Sequence, residues 1–160
     1  MKYIRFFPDG SKEWYQYSEF ARSYIFHRIG GPAAEYVNGS KYWYQEGKLH
    51  RIGGPAVEYV KGSKYWYQYG QLHRVDGPAV EYSNGTKEWW QDNQLHRVDG
   101  PAVEYSDGTK HYFQNDQLHR EDGPAIEYAN GTKYWYYKDT KINCTTQEEF
   151  IRLINLKAFW

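Results

Sequence analysis

His73-Arg74-Val75-Asp76-Gly77-Pro78-Ala79-Val80-Glu81-Tyr82-Ser83-Asn84-Gly85-Thr86-Lys87-Glu88-Trp89-Trp90-Gln91-Asp92-Asn93-Gln94-Leu95 is one unit of a tandem repeat. Its opening, His-Arg-x-[Gly/Asp]-Gly-Pro-Ala, starts at His27, His50, His73, His96 and His119, every 23 residues and without insertion. Glu-Tyr follows in each copy, then x-Gly-[Ser/Thr]-Lys and an aromatic-rich triplet such as Tyr65-Trp66-Tyr67. A sixth, partial copy stands upstream as Asp9-Gly10-Ser11-Lys12-Glu13-Trp14-Tyr15-Gln16, set off by six extra residues. A fixed period of this length signals a repeat architecture in which each unit buries its apolar face on its neighbours.

Within a unit, Asn38-Gly39, Asn84-Gly85, Asp107-Gly108 and Asn130-Gly131 are two-residue type I′ signals between β-formers, so each unit reads as a hairpin. In the third repeat that turn sets Tyr82 opposite Lys87, Glu81 opposite Glu88, Val80 opposite Trp89 and Ala79 opposite Trp90. The Val–Trp and Ala–aromatic pairs recur at 57/66 and 56/67, and in the last repeat at 126/135 and 125/136, as the aromatic–aliphatic contacts that stabilise sheets. A second reversal is expected at Glu46-Gly47, Tyr69-Gly70 or Asp92-Asn93, followed by a short strand such as Gln94-Leu95-His96-Arg97. The Gly-Pro after it cannot complete a ladder and marks a strand edge. The expected fold is all-β: an elongated up-and-down β-hairpin array of five full repeats plus a partial one, with a short C-terminal capping helix. At about 4.8 Å per strand, five two-stranded units span roughly 50 Å. The organisation is a single repeat domain, 1–160. It comprises an N-terminal partial repeat and cap (1–26, with the insert 17–26), five repeats (27–141) and the capping helix (142–160). Thr146-x-x-Glu149 is a capping box, and Phe150, Leu153, Ile154 and Ala158 form one apolar stripe behind it.

The 23-residue hairpin unit, with Tyr-x-Asn-Gly and a His near its end, resembles MORN-type repeats and the related YwqK-like repeats. Its Leu-His-Arg-x-Asp-Gly-Pro-Ala form is similar to repeats of bacteriophage and large-virus proteins. The resemblance covers residues 27–141 and, more weakly, 6–16. It implies binding or scaffolding, with no catalytic residue to carry over, and a phage-encoded modulator or inhibitor of a bacterial defence protein as the specific version.

Composition narrows the function classes. The chain has 20 Lys+Arg against 20 Asp+Glu and is 20% aromatic, with 18 Tyr and 7 Trp. Leu, Ile, Val and Phe number only 28, so aromatic rings must supply the core. Zero net charge argues against generic nucleic-acid binding by counterion release and against a membrane-surface role. The start Met1-Lys2-Tyr3-Ile4-Arg5 has no apolar signal region, and the expected location is the cytoplasm of a bacterial or infected host cell. A single cysteine, Cys144, allows no disulfide framework. The zero sum hides an asymmetry: residues 1–75 hold 11 Lys+Arg and 6 Asp+Glu, while residues 76–160 hold 9 and 14.

The five repeated histidines invite a metal reading, but a metal stack needs imidazoles within about 4 Å. Equivalent positions in successive units lie two strands apart, roughly 10 Å. A packing or hydrogen-bonding task done five times is therefore expected of His and Arg, and no metal or cofactor. The His-x-x-Asp spacing lacks a nucleophile, so Asp76, Asp99 and Asp122 read as turn-stabilising residues. The Glu column, Glu35 to Glu127, reads as a solvated face paired with Lys or Arg. Tyr42, Tyr65, Glu88, His111 and Tyr134 are equivalent and are expected to face that column. A Tyr/Trp-rich strip with charge around it has the composition of a protein-binding surface. The candidate binding residues are Tyr42, Tyr65, Trp90 and Tyr134, with His50, His73 and His96 and with Arg51, Arg74 and Arg97. The expected function is a non-catalytic protein-binding repeat module; the alternatives are small-ligand or glycan binding, or a MORN-like membrane-associated scaffold.

Overall fold

Two kinds of chain reversal alternate, and the backbone tells them apart. At Tyr59-Val60-Lys61-Gly62-Ser63 the Gly62 N–H donates to the Tyr59 carbonyl at 2.9 Å, and the Tyr59 N–H to the Ser63 carbonyl at 3.0 Å. Of the loop residues only Gly62 has positive φ, at 95°. This is a type I turn closed by a glycine bulge, a three-residue loop. The same bonds recur at Gly39, Gly108 and Gly131, and at Gly10 in the partial repeat. The expected type I′ turn at Asn-Gly is therefore corrected. Asn does not adopt positive φ there; its side chain accepts the backbone N–H two residues on, as Asn38 does from Ser40 (2.9 Å) and Asn130 from Thr132 (2.9 Å).

The extra loop residue moves the register by one, which exchanges the faces that meet. Val57 pairs with Tyr65, and Glu58 with Lys64; Ile126 pairs with Tyr134, and Glu127 with Lys133. The Val–Trp pair expected at 57/66 and the Ile–Trp pair expected at 126/135 do not form. Toward their neighbouring hairpins, Glu81 lies opposite Lys64, and Glu88 opposite Val103. The Tyr42-type positions thus face the aliphatic column, while the Glu column faces Lys. Glu58 sits between Lys41 and Lys64, and Glu127 between Lys110 and Lys133. Opposite charges at direct cross-strand positions stabilise a sheet where like charges destabilise it.

The true type I′ turns are at the second reversal. Glu46, Tyr69, Asp92, Asn115 and Lys138 have φ of 48–51°, and the next residue is also positive in each. They join ladders of two pairs, such as Tyr67↔Leu72 and Gln68↔Gln71, or at Lys138 of three, Trp135↔Ile142, Tyr136↔Lys141 and Tyr137↔Thr140.

The computed structural model describes residues 1–157. Contacts divide the chain into Met1–Ser83 with Gln91–Asn93, and Asn84–Trp90 with Gln94–Trp160. In the first unit the antiparallel order is Lys2–Phe6, Lys12–Ser18, Ala34–Glu35, Lys41–Tyr42, Val57–Glu58, Lys64–Tyr65, Val80–Glu81. The insert supplies Ser23–Phe26, which also pairs with Lys12–Ser18. In the second unit the order is Lys87–Glu88, Val103–Glu104, Lys110–His111, Ile126–Glu127, Lys133–Tyr137, Thr140–Ile142, followed by the helix Gln147–Lys157. The protein is thus an all-β hairpin array ending in one short helix.

Its core is two repeated columns and a cap. Ala33, Ala56, Ala79, Ala102 and Ala125 are fully buried, each followed by a buried Ala34, Val57, Val80, Val103 or Ile126. At the C-terminus Phe150 is fully buried, its ring 5.2 Å from that of Trp135, with Ile142 beside them and Leu153 and Ile154 packed against the cluster. Thr146 Oγ1 accepts the Glu149 N–H (3.3 Å), and Glu149 reaches back to the Thr145 N–H (3.2 Å), so the box closes one residue before the expected cap. Ala158, the last member of the expected stripe, lies outside the described residues.

Candidate functional site

The repeated motif has a structural account residue by residue, and only after that does a free surface remain. Each His opens its repeat and uses Nδ1 to accept the N–H of the first residue of the type I′ turn near that repeat's end, 19 residues on. His27 takes Glu46 (3.1 Å), His50 Tyr69 (3.2 Å), His73 Asp92 (3.3 Å), His96 Asn115 (3.3 Å) and His119 Lys138 (3.3 Å). The second residue of that turn donates to the carbonyl before the His, as Gly70 does to Leu49 at 2.8 Å. Those donors would otherwise lie unpaired between successive hairpins, at a cost of about 1–3 kcal/mol each where buried. At His73 and His96 the same Nδ1 also lies 2.9 Å from Asp92 Oδ1 and Asn115 Oδ1.

Each Arg is held flat. Its guanidinium carbon lies over an aromatic ring: Arg28 over Trp14 (3.8 Å), Arg51 over Trp43 (3.9 Å), Arg74 over Trp66 (4.2 Å), Arg97 over Trp89 (4.1 Å) and Arg120 over Tyr112 (4.0 Å). Nη1 donates to the Pro carbonyl four residues on and to the Glu seven residues on, in Arg51 at 3.0 Å and 2.7 Å. The Gly before Pro leaves room for this packing: a Cβ on Gly77 would stand 3.0 Å from Arg74 Cζ, and on Gly123 2.7 Å from Arg120 Cζ. In three repeats Asp completes the set, accepting from Arg Nε in the pairs Arg74–Asp76 (2.9 Å), Arg97–Asp99 (3.1 Å) and Arg120–Asp122 (2.7 Å). Arg holds the carboxyls of Asp76, Asp99 and Asp122 below their ordinary range by that hydrogen bond.

The candidate residues divide between two faces. His50, His73 and His96 and Arg51, Arg74 and Arg97 lie on the Trp and Glu face. Tyr42, Tyr65 and Tyr134 lie on the other, since side chains alternate along a strand and Tyr65 pairs with Val57. There the tyrosines stack edge to face over the aliphatic column, at 5.5 Å for Tyr36–Tyr42, 5.9 Å for Tyr42–Tyr59 and 5.9 Å for Tyr128–Tyr134. Burial, and then neighbouring hydroxyls, push the Tyr42, Tyr44 and Tyr67 phenols up, so they stay neutral. Trp90 is half-buried and donates from Nε1 to Glu88 at 2.8 Å. The Cys144 thiol is pushed up by burial and then by Glu149, which disfavours a thiolate.

Two features of the Arg face escape this structural account. Ile29, Ile52, Val75 and Val98, the residues after each Arg, are 75–83% exposed. Beside them a cleft recurs between successive Arg residues, about 260 Å³ between Arg28 and Arg51, 220 Å³ between Arg51 and Arg74, and 550 Å³ between Arg97 and Arg120. The sequence signal for the aliphatic row was available: one loop position is Ile or Val in four of five repeats, and Glu121 in the fifth.

No family model matches this chain, and no curated protein matches it. Among the described residues no helix is long and apolar enough to cross a membrane.

Proposed function

We propose that the chain is a non-catalytic repeat module that binds a protein partner through its Arg face. The observation that carries this reading is the exposed aliphatic position. The fold makes no use of Ile29, Ile52 or Val75, which stand in solvent, yet the position keeps a β-branched apolar side chain beside a fixed arginine. Apolar side chains with Arg and aromatic rings around them are the makings of an interface core. The chemistry present favours binding, because the repeated His is committed to a turn of its own repeat and the repeated Arg to an aromatic ring of the preceding one. A phage-encoded modulator of a bacterial protein is the specific form of the proposal.

The test replaces Ile29, Ile52 and Val75 together with Ser. Thermal stability should stay within about 1 kcal/mol, because exposed positions tolerate substitution, while the partner captured stoichiometrically from bacterial lysate by the unmodified chain is lost. If the unmodified chain captures no stoichiometric partner, or the triple variant captures the same one equally well, the reading fails.

A second reading, small-ligand binding, has its own support in the cleft at successive Arg junctions. It predicts several equivalent sites, and calorimetry with nucleotides and glycans would return a stoichiometry above one.

A further inference from the structure

The arginines that look alike in sequence are not alike in what surrounds them. Arg74, Arg97 and Arg120 each have Nε capped by an Asp two residues on. In the first two repeats that position is Gly30 and Gly53. Arg28 and Arg51 keep the bonds from Nη1 to Pro32 and Glu35, and to Pro55 and Glu58. Among the described residues nothing accepts from their Nε. Exposure agrees: the Arg28 and Arg51 side chains are each 31% exposed, against 22%, 23% and 20% for Arg74, Arg97 and Arg120.

The clefts follow the same division. The one between Arg28 and Arg51 is lined by Trp43, His50 and Ile52 and by no carboxylate. Its counterpart between Arg97 and Arg120 is lined by Asp99, Glu121 and Asp122. The charge of the surrounding sequence runs the same way, with 11 Lys+Arg to 6 Asp+Glu over residues 1–75.

We propose that Arg28 and Arg51 dock two acidic side chains of an extended segment of the partner. Each carboxylate would take the place that Asp76, Asp99 and Asp122 fill in the other repeats. This rests on the protein-binding reading and gives that partner its chemistry. A carboxylate on a stacked, already oriented guanidinium makes a charge-assisted bond of good geometry. Equivalent positions in adjacent repeats are about 10 Å apart, two strand spacings. A polyproline II segment, which rises about 3.1 Å per residue and returns to the same face every third residue, presents acidic residues three apart to Arg28 and Arg51, and aliphatic residues near them would meet Ile29 and Ile52. The first cleft region selects an acidic partner, while the repeats that carry Asp are already satisfied internally.

Two-dimensional NMR of the arginine Nε–H groups tests this on the full chain, with decaglutamate as the probe and inorganic phosphate in a parallel titration. Decaglutamate should shift the Arg28 and Arg51 signals and leave Arg97 and Arg120 in place. Asp76→Ala removes an exposed cap and should add Arg74 to the responding set, a gain that a folding defect cannot mimic. Equal movement of all five arginines, no movement at all, or a response to phosphate without one to decaglutamate would each overturn the assignment. Failure of the partner reading looks different. With no partner recovered from lysate, the Arg28 and Arg51 response to decaglutamate would still stand. A partner whose capture is unaffected by Asp76→Ala and by free decaglutamate would leave protein binding intact and remove the acidic docking.

Discussion

At the scale of single residues, the motif is explained by what each side chain prevents. The glycine before proline leaves room for a guanidinium, so its replacement acts through the arginine. Gly77→Ala should push Arg74 off Trp66, Pro78 and Glu81, and lower stability by about 1–2 kcal/mol. Urea denaturation reads the change, and a double-mutant cycle decides its cause: in an Arg74→Ala background the same alanine should be nearly neutral. His111 makes a different prediction. It stands where three other repeats carry Tyr and one carries Glu88, its Nε2 is buried without a partner among the described residues, and burial lowers its pKa from 6.5. The unfolded chain therefore takes up the proton first, so the stability contribution is full above 6.5 and is lost as pH falls through the folded pKa. His111→Tyr should flatten the fall in stability between about pH 7 and pH 5.5 relative to the parent, measured by denaturant titration. An identical slope in both proteins would place the acid sensitivity elsewhere.

At the scale of elements, the decisive fact is that one dipeptide serves two turn types. Asn-Gly is the strongest short signal for a type I′ hairpin, yet here Asn caps a type I turn and only Gly takes positive φ. Val60 sits second in such a turn, where φ is close to that of proline, and Pro8 already occupies that place in the partial repeat. Val60→Pro should therefore be neutral to stabilising by about 0.4–1 kcal/mol, with its thermal midpoint unchanged or raised. A type I′ turn requires positive φ at the first central residue and would be destroyed by proline there. The period and the two reversals per unit were legible in the sequence because spacing and turn residues encode them directly. The register was not, because it depends on whether one residue or two adopt positive φ. One clue pointed to the right answer: the expected hairpin register set Glu81 against Glu88, like charge on like, whereas the observed hairpins set Glu58 against Lys64 and Glu127 against Lys133. The candidate site was legible only in part. His and Arg stood out by repetition, but the difference between a capped and an open arginine needs the guanidinium's position over the glycine.

At the scale of the molecule, each bond that stacks one hairpin on the next spans a fixed separation. His Nδ1 bonds run 19 residues forward in every repeat, and the turn side chains that accept from Leu72, Leu95 and Leu118 lie 21 residues ahead. Deleting residues 50–72 should leave each donor facing an equivalent acceptor from the next copy. The shortened chain should fold, with a smaller denaturant slope because less surface is exposed on unfolding. Circular dichroism and urea titration would show it, and a chain without a cooperative transition would contradict the nearest-neighbour account. The opposite charge of the two halves has a local origin as well. Gly30 and Gly53 replace the Asp of later repeats, so the same substitution that opens two arginines removes two negative charges.

The stacked arginines also make the protein report on itself. Trp14, Trp43, Trp66 and Trp89 each lie beneath a guanidinium, whereas Tyr112 takes that place under Arg120 and Trp135 stacks on Phe150. Indole emission therefore follows the opening of four repeats and, through Trp135, the helical cap. The motif that carries Tyr112 is silent at those wavelengths, so a chain that frays first at that repeat would open in the dark.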